Sequence, residues 1–353
     1  MESNLEHNIK YIIPTKITNQ RELSNELIHH WKTRGYLVID GLLPDDLINK
    51  CISEVTDVLK TSKTDDFGSD GKLEFPTGLK ACDDITLHPT FIKVCSQLLD
   101  VDETKIRLIQ SDIWPKIGNR NTSHDKYSNA DQRIHCDYGN NTLVHPPSWD
   151  KPECVSMIVY LSDENETSGG TAIVPRESPI LYGSEQSDDE LYNWPLIAMP
   201  GYGGLPFINN KHYAEEYMKE NYPQFYEMRQ KLYAKECRVK FKPGTVLIYR
   251  HDIWHRGTPV NEGKLRIVCN LGYKRCDAEW VTVWNAGWAK NMYYGKVEKM
   301  IADASPISRS LLGFPMPGHD YWNEITIHAV TVRYKSYGFD PTPYLNKLKK
   351  NQN

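Results

Sequence analysis

No stretch of the chain approaches the roughly 20 consecutive apolar residues that a membrane-spanning helix needs. The opening residues MESNLEHNIKYIIPTK hold no apolar run of secretory-signal length, and the closing Asn-Gln-Asn is not the peroxisomal Ser-Lys-Leu address. The expectation is a cytoplasmic protein with no membrane partner. Charge of one sign is scarce as well: 42 Lys and Arg against 46 Asp and Glu give a formal charge of -4 over 353 residues. Without a basic field to draw polyanions, no nucleic-acid partner is expected. Eight cysteines include no C-x-x-C pair, which excludes the usual zinc ribbons and fingers and reads as reduced, mostly buried thiols. Fixed-period repeats and low-complexity tracts are missing, which excludes solenoids and propellers.

What is present is an ordinary globular composition, 39% hydrophobic and 25% charged, with enough apolar material for a large core. Leu23, Leu27, Ile28 and Trp31 recur at helical spacing and predict a helix over about 19–32, followed by a strand over 36–40. Leu47, Cys51, Val55 and Leu59 predict a second helix, opened by Asp45 and Asp46. Polar stretches at 61–84 and 116–132 read as long loops, the second a candidate lid. Short apolar or alternating runs at 106–113, 155–161, 171–174, 239–241, 246–249 and 265–273 predict strands. Helices are expected over about 212–234 and 289–301. This order points to one domain over 1–353: helix and strand support at 17–100, a β-rich core at about 104–285, and a C-terminal extension at 286–353. The predicted class is α+β, with a jelly-roll or double-stranded β-helix core of cupin type flanked by helices.

Chemistry-bearing residues begin at RIHCDYG (133–139). In a strand, His135 and Asp137 would leave the same face and Cys136 the other, so an imidazole and a carboxylate would converge on one point. An H-x-D is weak evidence alone, because twelve histidines produce roughly one such pair by chance. The bland reading is a strand histidine bonded to a neighbour. A second cluster, KPGTVLIYRHDIWHRGTPVNEGKLR (242–266), puts His255 after one strand and Arg266 on the next, with Gly263 in the turn between them. A hairpin-like return would then bring Arg266 near His255. Two histidines and one carboxylate form the facial set of non-haem iron(II) oxygenases, and a guanidinium beside them can hold a dicarboxylate by paired hydrogen bonds.

With these motifs the sequence resembles the phytanoyl-CoA dioxygenase family of iron(II)/2-oxoglutarate oxygenases. GYLVIDGLLP (35–44) is similar to that family's first strand and turn, and ETSGGTAIVP (166–175) to the segment between its ligands. The family's 2-oxoglutarate arginine lies eleven residues beyond the distal histidine, as Arg266 does from His255. The resemblance implies iron(II) on His135, Asp137 and His255, with 2-oxoglutarate on Arg266 and O2 as oxidant. It also implies a small-molecule substrate hydroxylated, desaturated or cyclised at an aliphatic carbon, with release of succinate and CO2. Two departures stand out: Gly257 replaces the usual serine two residues after the distal histidine, leaving Thr258 as the candidate substitute, and no histidine follows Pro175-Arg176-Glu177-Ser178.

Gln110 is a further candidate co-substrate contact, with core hydrogen bonding as its alternative. Tyr138, Asn140, Asn141 and Arg133 are candidate substrate contacts, against an ordinary turn and a structural ion pair. Their polarity suits a small polar metabolite. Two other classes compete: a non-catalytic cupin-like binding or regulatory protein, and a zinc hydrolase using His251 and His255, for which no glutamate base lies between the pair.

Overall fold

Alternation along the long strands decides the architecture. The computed structural model describes residues 9–17, 22–59, 73–118, 125–137, 142–144, 151–176, 208–281, 295–310 and 313–352. Its strands are β1 (Tyr11–Ile12), β2 (Thr15–Lys16), β3 (Tyr36–Asp40), β4 (Leu73–Glu74), β5 (Ile106–Ile117), β6 (Cys154–Tyr160), β7 (Ala172–Ile173), β8 (Cys237–Val239), β9 (Val246–Tyr249), β10 (His255–Arg256) and β11 (Leu265–Arg275). They form a seven-stranded sheet, β2-β3-β9-β6-β11-β5-β4, and a four-stranded sheet, β1-β8-β7-β10. All pairings are antiparallel except β2 with β3 and β1 with β8.

On the large sheet, Leu37, Ile39, Val155, Val159, Val246, Ile248, Ile267 and Leu271 turn outward. There they pack against α1 (Asn25–Arg34), α2 (Asp45–Leu59), α3 (Lys80–Thr86) and α4 (Pro89–Leu99) through Trp31, Cys51, Val55, Phe91 and Val94. Their neighbours one residue on, Val38, Leu247, Tyr249 and Val268, turn inward with Tyr160 onto Ile173, Val239 and Phe241 of the small sheet. Tyr160 stacks on Phe241 at 4.1 Å and donates its hydroxyl to Thr171 Oγ1 at 2.9 Å. The expected jelly-roll core is thus two facing sheets, flanked by helices, and not a closed barrel.

Several boundaries differ from the sequence expectation for identifiable reasons. The first helix starts at Ser24, whose hydroxyl caps Leu27 N–H, and ends at Gly35 in the left-handed region (φ 84°). The short α5 (Glu164–Thr167) precedes β7, and the single helix expected over 212–234 is two, α6 (Lys211–Asn221) and α7 (Pro223–Lys235). Pro223 begins the second because it cannot donate within a continuing helix. In the C-terminal extension α8 (Lys296–Asp303), α9 (Pro306–Ser310), α10 (Glu324–Tyr334) and α11 (Thr342–Gln352) surround Phe314, Tyr321 and Trp322. Residues 289–294 of the helix expected there lie outside the described residues. No described helix is long and apolar enough to cross a membrane.

The outward face of the large sheet carries much of the stability. Phe91 is fully buried there; Phe91→Ala is expected to lower the unfolding free energy by about 3–5 kcal/mol, measured by guanidinium denaturation. A loss under 1 kcal/mol would refute this packing.

Candidate metal centre and its cavity

His135 and His255 face each other across a two-residue antiparallel bridge. His135 N–H donates to His255 O at 2.9 Å and His255 N–H to His135 O at 2.8 Å. Opposed residues of an antiparallel pair project to one side, and the two rings stand 4.3 Å apart between centroids. Asp137, two residues on, places Oδ1 3.7 Å from His135 Nε2 and 3.5 Å from His255 Nε2. One ligand atom from each of the three lies within 4.8 Å of the others.

Tautomers and charge suit a cation. His135 Nδ1 lies 3.1 Å from Arg133 O and His255 Nδ1 2.9 Å from Ile253 O. A carbonyl only accepts, so each Nδ1 carries the proton and each Nε2 turns a lone pair to the centre. Burial, reinforced by His255 and Arg133, holds the His135 imidazole well below its usual pKa and therefore neutral. Tyr249 donates its hydroxyl to Asp137 Oδ2 at 3.0 Å, which leaves Oδ1 for the histidine side. Burial and the Asp137 charge push the phenol well above its usual pKa, so it stays a donor. Two imidazoles and one carboxylate fit iron(II).

The ligand segment is extended but not part of a regular strand as expected; beyond the His255 bridge its backbone is satisfied by other groups. Gln132 N–H donates to Gly257 O at 3.1 Å and Arg133 N–H to Asn209 O at 2.8 Å. Ile134 N–H donates to Tyr233 Oη and Ile134 O accepts from Arg229 Nη2, both at 3.0 Å. Glu215 of α6 grips that guanidinium. Cys136 faces away, onto Asp252 O. The turn before His255 is locked by Arg250, whose Nε donates to Asp252 Oδ1 at 2.8 Å, and by the Arg176–Asp252 ion pair. Burial alone would raise the Asp252 pKa, but Arg176 and Arg250 pull it below the ordinary value.

Beside the three ligands lies a cavity of about 110 Å³, lined also by Gln110, Trp114, Asn129, Gln132, Arg133, Ser156, Asn209, Gly257, Arg266 and Asn270. Arg266 enters it from β11, a strand of the large sheet, whereas His255 sits on the small one. The two are not joined by a hairpin within one sheet, as expected: β11 pairs with β5 and β6. Arg266 is buried and donates to Gly169 O. Gln110 lines the cavity, its Nε2 donating to Asp112 Oδ2 at 3.0 Å. Arg133 lines it too, donating to Asn209 Oδ1 at 2.8 Å.

Thr258 does not reach the cavity. It is fully buried, with its hydroxyl donating to Gly170 O at 2.7 Å, so it does not replace the missing serine; alternation turns Gly257 inward instead. Tyr138, Asn140 and Asn141 lie outside the described residues, as do 119–124 of the expected lid, whose first residues belong to β5. Asn129 and Gln132 at its far end line the cavity. His251 is no partner for zinc with His255: residues 251–254 are not helical, and its ring nitrogens meet Cys154 Sγ at 3.0 Å and Ser156 Oγ at 2.7 Å.

Sequence reasoning missed Trp114 and Asn270, although their period-two spacing from Gln110 and Arg266 on long strands was a usable signal. Asn209 had none, being 76 residues from its partner Arg133.

No family profile matches the chain, and no curated protein sequence does. Solved structures do. An epimerase, SnoN, in complex with Fe3+, alpha-ketoglutarate and nogalamycin RO matches at 13% identity over 74% of this chain and 88% of its own, TM-score 0.48. The non-heme alpha-ketoglutarate-dependent carbocyclase SnoK matches at 15% identity over 78% and 93%, TM-score 0.48. EctD from S. alaskensis with 2-oxoglutarate and 5-hydroxyectoine matches at 14% identity over 76% and 82%, TM-score 0.47.

Tyr249 orients the carboxylate ligand without being one. Tyr249→Phe is expected to leave the fold intact and weaken iron(II) or cobalt(II) binding by about tenfold or more, read by anaerobic calorimetric titration. Unchanged affinity would remove Tyr249 from the metal site.

Proposed function

We propose that this chain is an iron(II)/2-oxoglutarate-dependent oxygenase of the phytanoyl-CoA dioxygenase type, acting on an aliphatic carbon of a small polar metabolite. One observation carries the reading: the three convergent ligands and the buried Arg266 line the same cavity. His135, Asp137 and His255 would hold iron(II). Arg266 would take the distal carboxylate of 2-oxoglutarate, its planar and permanent charge matching two oxygens at once. With iron(II), 2-oxoglutarate and O2 bound there, the site would supply oxidative decarboxylation to succinate and CO2, coupled to C–H oxidation of the substrate.

The chain's own residues set the conditions. Tyr249 and the two Nδ1–H bonds orient the ligands before anything binds. Asn129, Gln132, Arg133 and Asn209 form a hydrogen-bonded polar wall suited to a substrate with several polar groups. Asn140 and Asn141 remain candidates for the same role. Gln110 belongs to the opposite wall, as a candidate co-substrate contact. A non-catalytic binder has no need for three ligands and a buried arginine together, and nothing specific favours it.

The test is succinate formation. Protein loaded with iron(II) under nitrogen and given 2-oxoglutarate is expected to release iron-dependent succinate when O2 is admitted, with a polar-metabolite panel used to find the stimulating substrate. His135→Ala and Arg266→Ala should fall to the metal-free level. Inability of the wild-type protein to bind iron(II) and 2-oxoglutarate would overturn the assignment.

A further inference from the structure

Behind Asp137 a line of buried side chains leads away from the metal ligands. Cys154 Sγ stands 3.0 Å from His251 Nδ1, and His251 Nε2 stands 2.7 Å from Ser156 Oγ. Ser156 of β6 is directly opposite Tyr249 of β9, and opposed residues of an antiparallel pair share a face. Their side chains are hydrogen-bonded to each other, and Tyr249 in turn meets Asp137 Oδ2 at 3.0 Å. Cys154, Ser156, Tyr249 and His251 are all buried, where hydrogen bonds in a chain strengthen one another.

The donors and acceptors available fix which way the hydrogens point. A carboxylate only accepts, so the single Tyr249 proton goes to Asp137 and the phenol oxygen accepts from Ser156. That spends the Ser156 proton, and its oxygen therefore accepts from His251 Nε2–H. In a neutral imidazole Nδ1 is then the acceptor, and the donor to it is Cys154, whose thiol pKa burial pushes well above the usual value. Every link points toward Asp137. His251 thus holds the tautomer opposite to that of His135 and His255, whose Nδ1 atoms carry the proton. The main chain adds a separate tie, Asp137 N–H donating to His251 O at 3.2 Å, which any residue at 251 would keep.

On the iron(II) oxygenase reading, we propose that His251 is a positioning residue for the carboxylate ligand. Its Nε2–H, acting through Ser156, fixes Tyr249 as a donor to Asp137 Oδ2 and so reserves Oδ1 for the metal. Without that hydrogen the Ser156 oxygen has an open lone pair facing Tyr249, and the phenol can turn its proton from Asp137 to Ser156. The carboxylate then loses the bond that orients it.

The experiment titrates cobalt(II) into the metal-free full chain, since the visible absorption of this ion reports its ligand geometry as well as its occupancy. His251→Leu is expected to weaken cobalt(II) binding about fivefold and to shift the bands, whereas His251→Gln, which keeps an Nε2 donor for Ser156, stays within about twofold of wild type. Combined with Tyr249→Phe, His251→Leu should cost nothing further, because the chain is already cut beside Asp137. If His251→Leu does not fold, Ser156→Ala breaks the same chain and is held to the same comparison. Equal losses in the Leu and Gln variants, a loss that persists in full on Tyr249→Phe, or no loss at all would make His251 a packing residue and overturn the proposal. Wild-type protein that takes up no cobalt(II) or iron(II) would instead overturn the metal-site reading on which it rests.

Discussion

The reciprocal main-chain bond between His135 and His255 is the constraint on which the rest of the site depends. One histidine comes from a segment that belongs to no sheet, the other from a two-residue strand at a sheet edge. Neither element is long enough to set a side chain by itself. Closing both N–H···O bonds puts the residues in register, and register puts the imidazoles on one side with Asp137 beneath them. Buried rings this close would repel if both were protonated. The arrangement therefore suits a cation held between the two rings and Asp137.

Holding such a short bridge requires rigid surroundings, and the protein supplies them as buried ion clusters on either side. Glu215, Arg229 and Tyr233 satisfy Ile134 from the helices; Arg176, Arg250 and Asp252 lock the turn before His255. Buried charges of this kind add little net stability compared with well-packed apolar residues. Their value here is positional, because each bond has one acceptable geometry and apolar packing tolerates several.

The inner face of the large sheet is divided. Val38 and Leu247 meet the small sheet as plain core, while Gln110, Trp114, Asn270 and Arg266 leave room for a ligand. Polar groups on the buried side of a strand are costly unless something satisfies them. On the proposed reading, the cavity sets these groups against a polar co-substrate beside the metal.

Local patterns made much of this readable in advance. Period-two alternation marked the long strands, Leu23, Leu27, Ile28 and Trp31 at helical spacing marked the first helix, and the spacing of His135, Asp137, His255 and Arg266 singled out the residues that the fold brings to one cavity. These signals survive in one dimension because they depend on neighbours two to four residues apart, or on a motif whose members carry distinctive chemistry. Thr258 against Gly257, the bridge in place of a strand at His135, the amide wall at Asn129 and Asn209, and Ser156 opposite Tyr249 were settled by packing. Each depends on which distant segment lies alongside, and on which of two alternating faces a strand turns inward once the sheets meet. Chain order does not encode that choice locally; the register of β11 on β5 and the bridge between the histidines do.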